Sequence, residues 1–443
     1  MKNLSIYIRS VLCMLLLSSG FVKGQEADTL NLGDAIAMAL NNNYGILVAR
    51  YDAEVAENSA TAGNAGLLPK LDFSAGANFT ENNQEVLFAS PEFPPVDTIA
   101  SNSSQNAGLT MSYRVFDGLG NVNNFKVLRS QAALSRSQMR SVVEGNLSQV
   151  ITAYYQIARL EGNYRILRQT LQISKERLER AQNQQEFGAT NKLAVLNAEV
   201  DFNTDSVNLA TAILNLDNAK RELSVLIGID PLKQYGVEAE VDFQTDYALD
   251  AMLDEAEAHN ASVEIANKNL ELAELNYRVT QATQYPTLDL SASYAYNNLE
   301  NGPGNLLAQQ TSLGWTVGAS LNFNIFDGFR KRTQLQNARI QIESTRSRLE
   351  ETENTLRKDV LNAYYTFVNS LRILVLEEKS LDAAQLNFDR TLETFKLGQG
   401  TSTQFREAQL NLQRVRNRLN DLQYDVKLSE TELQRLSGRL VGE

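Results

Sequence analysis

Between Gly328 and Leu397 lie 70 residues with no proline and no internal glycine, in an apolar rhythm that only a long helix accommodates. At the standard helical rise such a stretch makes a rod of about 105 Å. Few globular domains enclose one. A first stripe runs through Leu335, Ala338, Ile342, Leu349, Leu356, Val360, Ala363, Phe367, Leu371, Leu374, Leu381, Ala384, Phe388, Leu392 and Phe395 in steps of three, four and seven. That spacing is a coiled-coil seam. A second stripe, Leu361, Tyr365, Val368, Val375, Ala383 and Leu386, lies beside it and implies neighbours on two sides.

The segment has an earlier counterpart. VFDG at Val115 to Gly118 returns as IFDG at Ile325 to Gly328, and AYY at Ala153 to Tyr155 returns at Ala363 to Tyr365, each 210 positions on. FGAT at Phe187 to Thr190 faces LGQG at Leu397 to Gly400 at the same offset, and RELSVLIG ending at Gly228 faces TELQRLSG ending at Gly438. The chain is read as a duplicated unit: residues 25–228, a linker at 229–250, and residues 251–443.

The first residues carry Lys2 and Arg9, an apolar run from Val11 to Leu17, and a cleavage point after Val22-Lys23-Gly24. Residues 1–24 therefore read as a secretory signal peptide. No later segment holds about 18 uninterrupted apolar residues, so no transmembrane helix is expected. The single cysteine, Cys13, sits inside that run, so the exported chain carries no thiol and no disulfide. His259 is the only histidine. A histidine-ligated metal or a serine-type triad is not expected, and neither is any cofactor. Without Lys2, Arg9 and Lys23, 38 basic side chains stand against 53 acidic ones, net −15, a poor balance for nucleic acid. The balance reads either as a solvated acidic surface or as an acidic lumen or rim.

After the signal a short helix at Leu32 to Leu40 leads into a helix from Tyr44 to Leu67, stopped by Pro69. The matching segments are Ala251 to Ala258, a break at His259-Asn260 that makes His259 a helix-end residue, and Ala261 to Tyr285, stopped by Pro286. Strands follow each proline, giving hairpins over 71–116 and 287–325. Leu71, Phe73, Ala75, Ala77 and Phe79 alternate with polar or small residues, as do Leu109, Met111, Tyr113 and Val115. Leu288, Leu290, Ala292, Tyr294 and Tyr296 do the same, and so do Leu313, Trp315, Val317, Ala319, Leu321, Phe323 and Ile325. The reach of each, about nine to thirteen residues, suits a tilted strand crossing an outer membrane. A soluble sheet with one buried face is the alternative. Lipid is the better cover, because the helical seams are committed to one another. Phe79, Phe116, Trp315 and Phe326 fit interfacial belts.

Four strands alone leave open edges in lipid, so oligomerisation follows: eight strands from two chains or twelve from three. Polar loops at Glu81 to Asn106 and Asn298 to Ser312 are expected to face outside. At each strand-to-helix joint Asp117 or Asp327 can cap the next helix while Gly118 or Gly328 turns the chain. Long helices are expected at 118–187 and 328–397, returning along 190–228 and 402–438 after glycine turns. The linker adds a short alternating run at Val237 to Phe243.

The residues quoted above, with LLPKLDFSAG and YPTLDLSAS before the strands and FGATNKLAVLNAEV and LGQGTSTQFREAQL at the hairpin tips, resemble the TolC-like outer-membrane efflux protein family over the whole mature chain. The resemblance implies a mainly helical fold with a transmembrane β part. In it a homotrimer forms a twelve-stranded β-barrel in outer-membrane lipid, continued by a twelve-helix periplasmic α-barrel. It implies a periplasmic adaptor, or membrane fusion protein, touching Phe187, Gly188, Ala189 and Thr190 and Leu397, Gly398, Gln399, Gly400 and Thr401. It also implies an inner-membrane pump of RND or ABC type. The positions matching the acidic ring at the closed periplasmic aperture are Gln404 and Glu407. Only Glu407 is acidic, which weakens the case for a double ring, and an ordinary solvated residue is its plain alternative.

The leading reading is a passive outer-membrane channel of a tripartite efflux or type I secretion system, gated at its periplasmic tip and catalysing nothing. An exported coiled-coil scaffold or adhesin is the alternative; it explains the heptads but not the four alternating strands.

Overall fold

A computed structural model describes residues 29–87, 89–90, 92–238, 241–302 and 307–440. The expected signal peptide lies outside the described residues.

The elements in chain order are β1 (Thr29–Leu30), α1 (Leu32–Asn42), α2 (Tyr44–Ser59), β2 (Lys70–Val86), β3 (Val96–Phe116), α3 (Gly120–Glu186) and α4 (Lys192–Leu226). They continue with β4 (Gly236–Val237), α5 (Leu249–His259), α6 (Ala261–Ala282), β5 (Thr287–Asn301), β6 (Gln309–Asn322), α7 (Arg330–Lys396) and α8 (Ser402–Leu436). The two long helices, α3 and α7, have 67 residues each, so each is about 100 Å long. His259 closes α5, and its carbonyl accepts from Arg140 Nη2 at 3.1 Å.

The chain divides into two compact units. One gathers Val48–Ser141 and His259–Leu356 and contains a four-stranded antiparallel sheet, β2-β3-β5-β6, with β2 and β6 as edges. The register aligns side chains in rows. Phe73, Leu109, Tyr294 and Trp315 lie opposite one another, as do Leu71, Met111, Ala292 and Val317, while Asp72, Thr110, Ser293 and Thr316 form a polar row between them. Because strand side chains alternate between faces, one face of the sheet is apolar and the other polar. The apolar rows are bare: Phe73, Tyr294, Trp315 and Val317 are all exposed.

The strands depart from the expected lengths. The expected loop from Glu81 to Asn106 is mostly strand, since β2 and β3 pair without interruption as far as Val86 and Val96. The reason is visible in the residues: Glu81 to Glu85 and Ser101 to Gln105 are polar on both faces, so the backbone ladder continues where alternation stops. At the other end β6 stops at Asn322, opposite Thr287. Phe323 and Ile325, expected in the strand, lie beyond it, because the preceding Pro286 has no N–H to extend the ladder. Phe79 and Trp315, expected near strand ends, sit inside β2 and β6. The helix expected to reach Leu67 ends at Ser59, and Asn64 closes a turn by donating to the Ser59 carbonyl at 3.1 Å.

The other unit gathers the residues up to Leu47, Val142–Ala258 and Arg357 onward. Its main core joins Ala35, Val150, Ile151, Tyr154, Tyr155, Ile157, Leu223, Ile227, Tyr235 and Tyr424. The Tyr154 hydroxyl donates to the Leu30 carbonyl at 3.0 Å and accepts from Glu238 N–H at 3.1 Å, tying down β1 and β4, which pair in parallel. Among the described residues of the alternating run expected at Val237 to Phe243, Val237 alone is strand, at the end of β4. Glu430 is buried and accepts from Tyr247 Oη at 2.8 Å, from Gln244 N–H at 2.9 Å and from Lys427 Nζ at 2.9 Å.

Candidate functional site

Each long helix ends in the same way. Gly188 N–H donates to Gln185 O at 3.0 Å and Ala189 N–H to Gln184 O at 2.7 Å; Gly398 N–H donates to Phe395 O at 3.1 Å and Gln399 N–H to Thr394 O at 2.9 Å. These are Schellman closures, and the glycine φ values of 71° and 75° are the left-handed conformation such a closure requires. Asn191 then caps α4, accepting from Ala194 N–H at 3.0 Å. Thr401 and Gln404 cap α8 reciprocally, Thr401 Oγ1 accepting from Gln404 N–H at 3.2 Å and Gln404 Oε1 from Thr401 N–H at 3.0 Å. Phe187 and Leu397 are 84% and 72% exposed at these turns.

The structure thus brings Gln404 into a capping box, while Glu407 one turn later is exposed. The capping box was legible as Thr401-x-x-Gln404. Glu407 lines a cleft of about 610 Å³ with Leu193, Val200, Arg406, Leu410 and Arg414.

Arg177, Asp201 and Arg406, which also line this cleft, belong to a cluster that sequence reasoning missed. Arg406 reaches Asp205 through both terminal nitrogens, at 2.7 and 2.9 Å, and stands 3.5 Å from Asp201. Arg177 donates to Asp201, and the Ser174 hydroxyl to Asp205. Gln409 Nε2 donates to Ser174 Oγ at 3.2 Å and to Thr170 O at 3.1 Å. Ser174, Arg177, Asp205 and Gln409 are buried and the Arg406 side chain is 11% exposed, while Asp201, 30% exposed, stands at the cleft, so the two guanidiniums share one buried and one half-buried carboxylate. Burial lowers the Arg177 guanidinium below its ordinary range against the pull of Asp201. Burial also acts against Arg406, but the hydrogen bonds and charge of Asp205 outweigh it and the group is raised. The available signal was the spacing of Asp201 and Asp205, one helical turn apart, which puts both carboxylates on one face of α4. Around the cluster, Phe405 stacks on Phe395 at 4.9 Å and packs with Ala384, Phe388 and Leu412.

The strand-to-helix joints form a second pair of built features. An Asp117 oxygen accepts from Asn121 N–H at 2.7 Å, and an Asp327 oxygen from Lys331 N–H at 2.9 Å. Gly118 and Gly328 both have φ of 70°, and the next residues, Leu119 and Phe329, are left-handed too, with φ of 68° and 65°. These two are unusual: non-glycine residues at positive φ are strained, by roughly 1–2 kcal/mol each. Among the described residues, no group of three or more side chains is placed to hold a metal ion. No helix among the described residues is long and apolar enough to cross a membrane.

The outer membrane efflux protein family model matches residues 35–229 and 252–439. The outer membrane protein TolC of Vibrio cholerae is 22% identical over 417 residues, which span 93% of this chain and 91% of that protein. The alkaline protease secretion protein AprF of Pseudomonas aeruginosa is 23% identical over 423 residues, 94% of this chain and 86% of that protein. The fold is that of the Campylobacter jejuni CmeC outer membrane channel, with a TM-score of 0.79 at 16% identity over 92% of this chain and 86% of that one. The chain belongs to the outer membrane efflux protein family, channel proteins of the outer membrane whose helical part lies in the periplasm.

Proposed function

We propose that the protein is the passive outer-membrane duct of a tripartite efflux or type I secretion system. Three copies close their sheets into a twelve-stranded barrel in lipid, and their long and returning helices continue it as a twelve-helix periplasmic tunnel. A periplasmic adaptor engages the turns Phe187 to Thr190 and Leu397 to Thr401, and an inner-membrane pump of RND or ABC type supplies the energy. The duct itself catalyses nothing. Its aperture is set by the helical tips near Gln404 and Glu407 and widens when adaptor binding loosens helix contacts there. The cargo is small molecules or polypeptide; the names of the relatives, an efflux family on one side and a protease secretion protein on the other, fit both.

The observation that carries this reading is the sheet. Its apolar rows are bare across all four strands, and β2 and β6 have open edges. Lipid satisfies the first and further copies of the chain satisfy the second. The test is the native mass of protein extracted in mild detergent from the outer-membrane fraction, followed by single-channel recording. A trimer that conducts is expected, with conductance raised in Gln404→Ala/Glu407→Ala. A water-soluble species in the periplasm would refute the reading.

A further inference from the structure

The joint between β6 and α7 carries a surface that neither the helix nor the fold requires. Arg330, Lys331 and Arg332 fill the first turn of α7, where the positive end of the helix dipole disfavours cations. The matching positions in the first turn of α3 are Gly120, Asn121 and Val122, so the turn forms without basic residues. Arg330 has only a 4.0 Å approach to Asp327. Arg332 is exposed with no ion pair among the described residues.

Beside them is an exposed apolar cluster. Ile325 is 88% exposed, Phe326 71% and Phe329 63%, and Phe323 adjoins them; Phe326 and Phe329 meet edge to face at 5.4 Å. Phe329 is held outward by a left-handed backbone, and Leu119, left-handed at the other joint, is also exposed. A strained conformation that presents an apolar side chain to water has no benefit in water. Lys331 is turned differently: it is half-buried, on the seam with Leu335 and Ala338, and lines the cleft on the polar side of the sheet with Arg114 and Asn322.

The geometry points to an anionic-phospholipid site. Arg330 and Arg332 bind headgroup phosphates of the membrane leaflet nearest the helices, while Phe323, Ile325, Phe326 and Phe329 enter the boundary between headgroups and acyl chains. Two guanidiniums match phosphate oxygens in charge and in donor geometry. Lys331 takes no part. The inference rests on the reading that the strands cross a bilayer.

The full-length protein in mild detergent is mixed with equal amounts of phosphatidylglycerol and phosphatidylethanolamine, and retained lipid is counted by native mass spectrometry. Wild type retains phosphatidylglycerol preferentially, and less so as salt is raised. Arg330→Gln/Arg332→Gln lowers that preference by about fivefold for each arginine removed. Lys331→Gln stays within about twofold of wild type on the same scale, and Arg330→Lys/Arg332→Lys keeps most of the preference. Equal preference in wild type and the double glutamine variant overturns the site, as does an equal loss in Lys331→Gln. Single-channel recording in neutral phosphatidylcholine separates the two readings. Channels without lipid preference remove this site alone, whereas a wild type that neither inserts nor conducts removes the duct reading beneath it.

Discussion

Replacing Asp205 by alanine isolates what the buried cluster contributes at the tips. The change removes the acceptor of two Arg406 bonds, at 2.7 and 2.9 Å, and of the Ser174 hydroxyl. Arg406, whose side chain is 11% exposed, is left with two neutral acceptors, Ser174 Oγ and Gln409 Oε1, each at 3.2 Å, and with Asp201 at 3.5 Å, a carboxylate that Arg177 already occupies. Breaking a buried ion pair from one side costs about 3–5 kcal/mol, chiefly because a charge is stranded without water. Asp201 offsets part of that, which places the variant near the lower figure, about 3 kcal/mol. Since about 1.4 kcal/mol is a factor of ten, amide hydrogen exchange in α4 and α8 around the cluster should speed up on the order of a hundredfold. The double variant Asp205→Leu/Arg406→Leu removes both charges together, and a buried pair replaced by apolar groups of similar volume is close to neutral. It should therefore exchange nearly as slowly as wild type. A single variant that exchanges like wild type would refute the reasoning, and so would a double variant that opens more than the single.

Three further outcomes follow from the same geometry. Gly188→Ala and Gly398→Ala each place a Cβ in open space but at positive φ, so each should cost about 1–2 kcal/mol from backbone strain alone, read as faster protease nicking at the tips. Tyr247→Phe removes the hydroxyl that donates to Glu430 and accepts from Gln434, both at 2.8 Å, and should destabilise the unit by about 1–2 kcal/mol in denaturant titration. Burial pushes Tyr155 and Tyr247 up to about 12, above the unfolded value of about 10. The fold therefore favours their protonated forms. That stabilisation is complete below about pH 10 and is lost as pH rises toward 12, so alkaline unfolding should coincide with the rise in tyrosinate absorbance.

What was legible in the sequence was what has a period. The seam residues Leu356, Val360, Phe367, Leu374 and Phe388 are buried, and the apolar strand positions share a face. What lacks a period was not legible. The loop-side halves of β2 and β3 are held by backbone pairing in which the polar run Glu81 to Glu85 lies opposite Asp97 to Ser101, neither of which alternates, so no alternation rule detects them. The Arg177, Asp201, Asp205 and Arg406 cluster joins the consecutive helices α3 and α4 to α8, where Arg406 lies 201 positions after Asp205, and each residue alone looks like a solvated helix position. Gln404, an aperture position by family resemblance, also caps α8, and its spacing to Thr401 made that cap legible.

The two halves also differ in a way their common pattern conceals. Positions that close or start helices do the same work in both: Gly188 and Gly398 end a helix, Asn191 and Thr401 begin one, and Asp117 and Asp327 cap the turn after the strands. Backbone geometry dictates those residues whatever lies nearby. Interior positions answer to their neighbours instead. Tyr154 and Tyr155 are buried against Leu30, Tyr235 and Tyr424, whereas Tyr365 of the second AYY is exposed. Gly162 of α3 admits the Asn420 side chain, which donates to the Arg159 carbonyl at 2.9 Å, while its counterpart 210 positions on is Arg372. Divergence between the halves therefore falls where a surface meets something other than its own copy. The basic turn at Arg330 to Arg332, opposite a neutral Gly120 to Val122, belongs to that class. Exchanging the two turns, Arg330→Gly/Lys331→Asn/Arg332→Val, should leave the α7 cap on Asp327 intact, with unchanged helical content by circular dichroism, while abolishing the anionic-lipid preference. Loss of helix with the exchange would mean that the basic residues serve the fold after all.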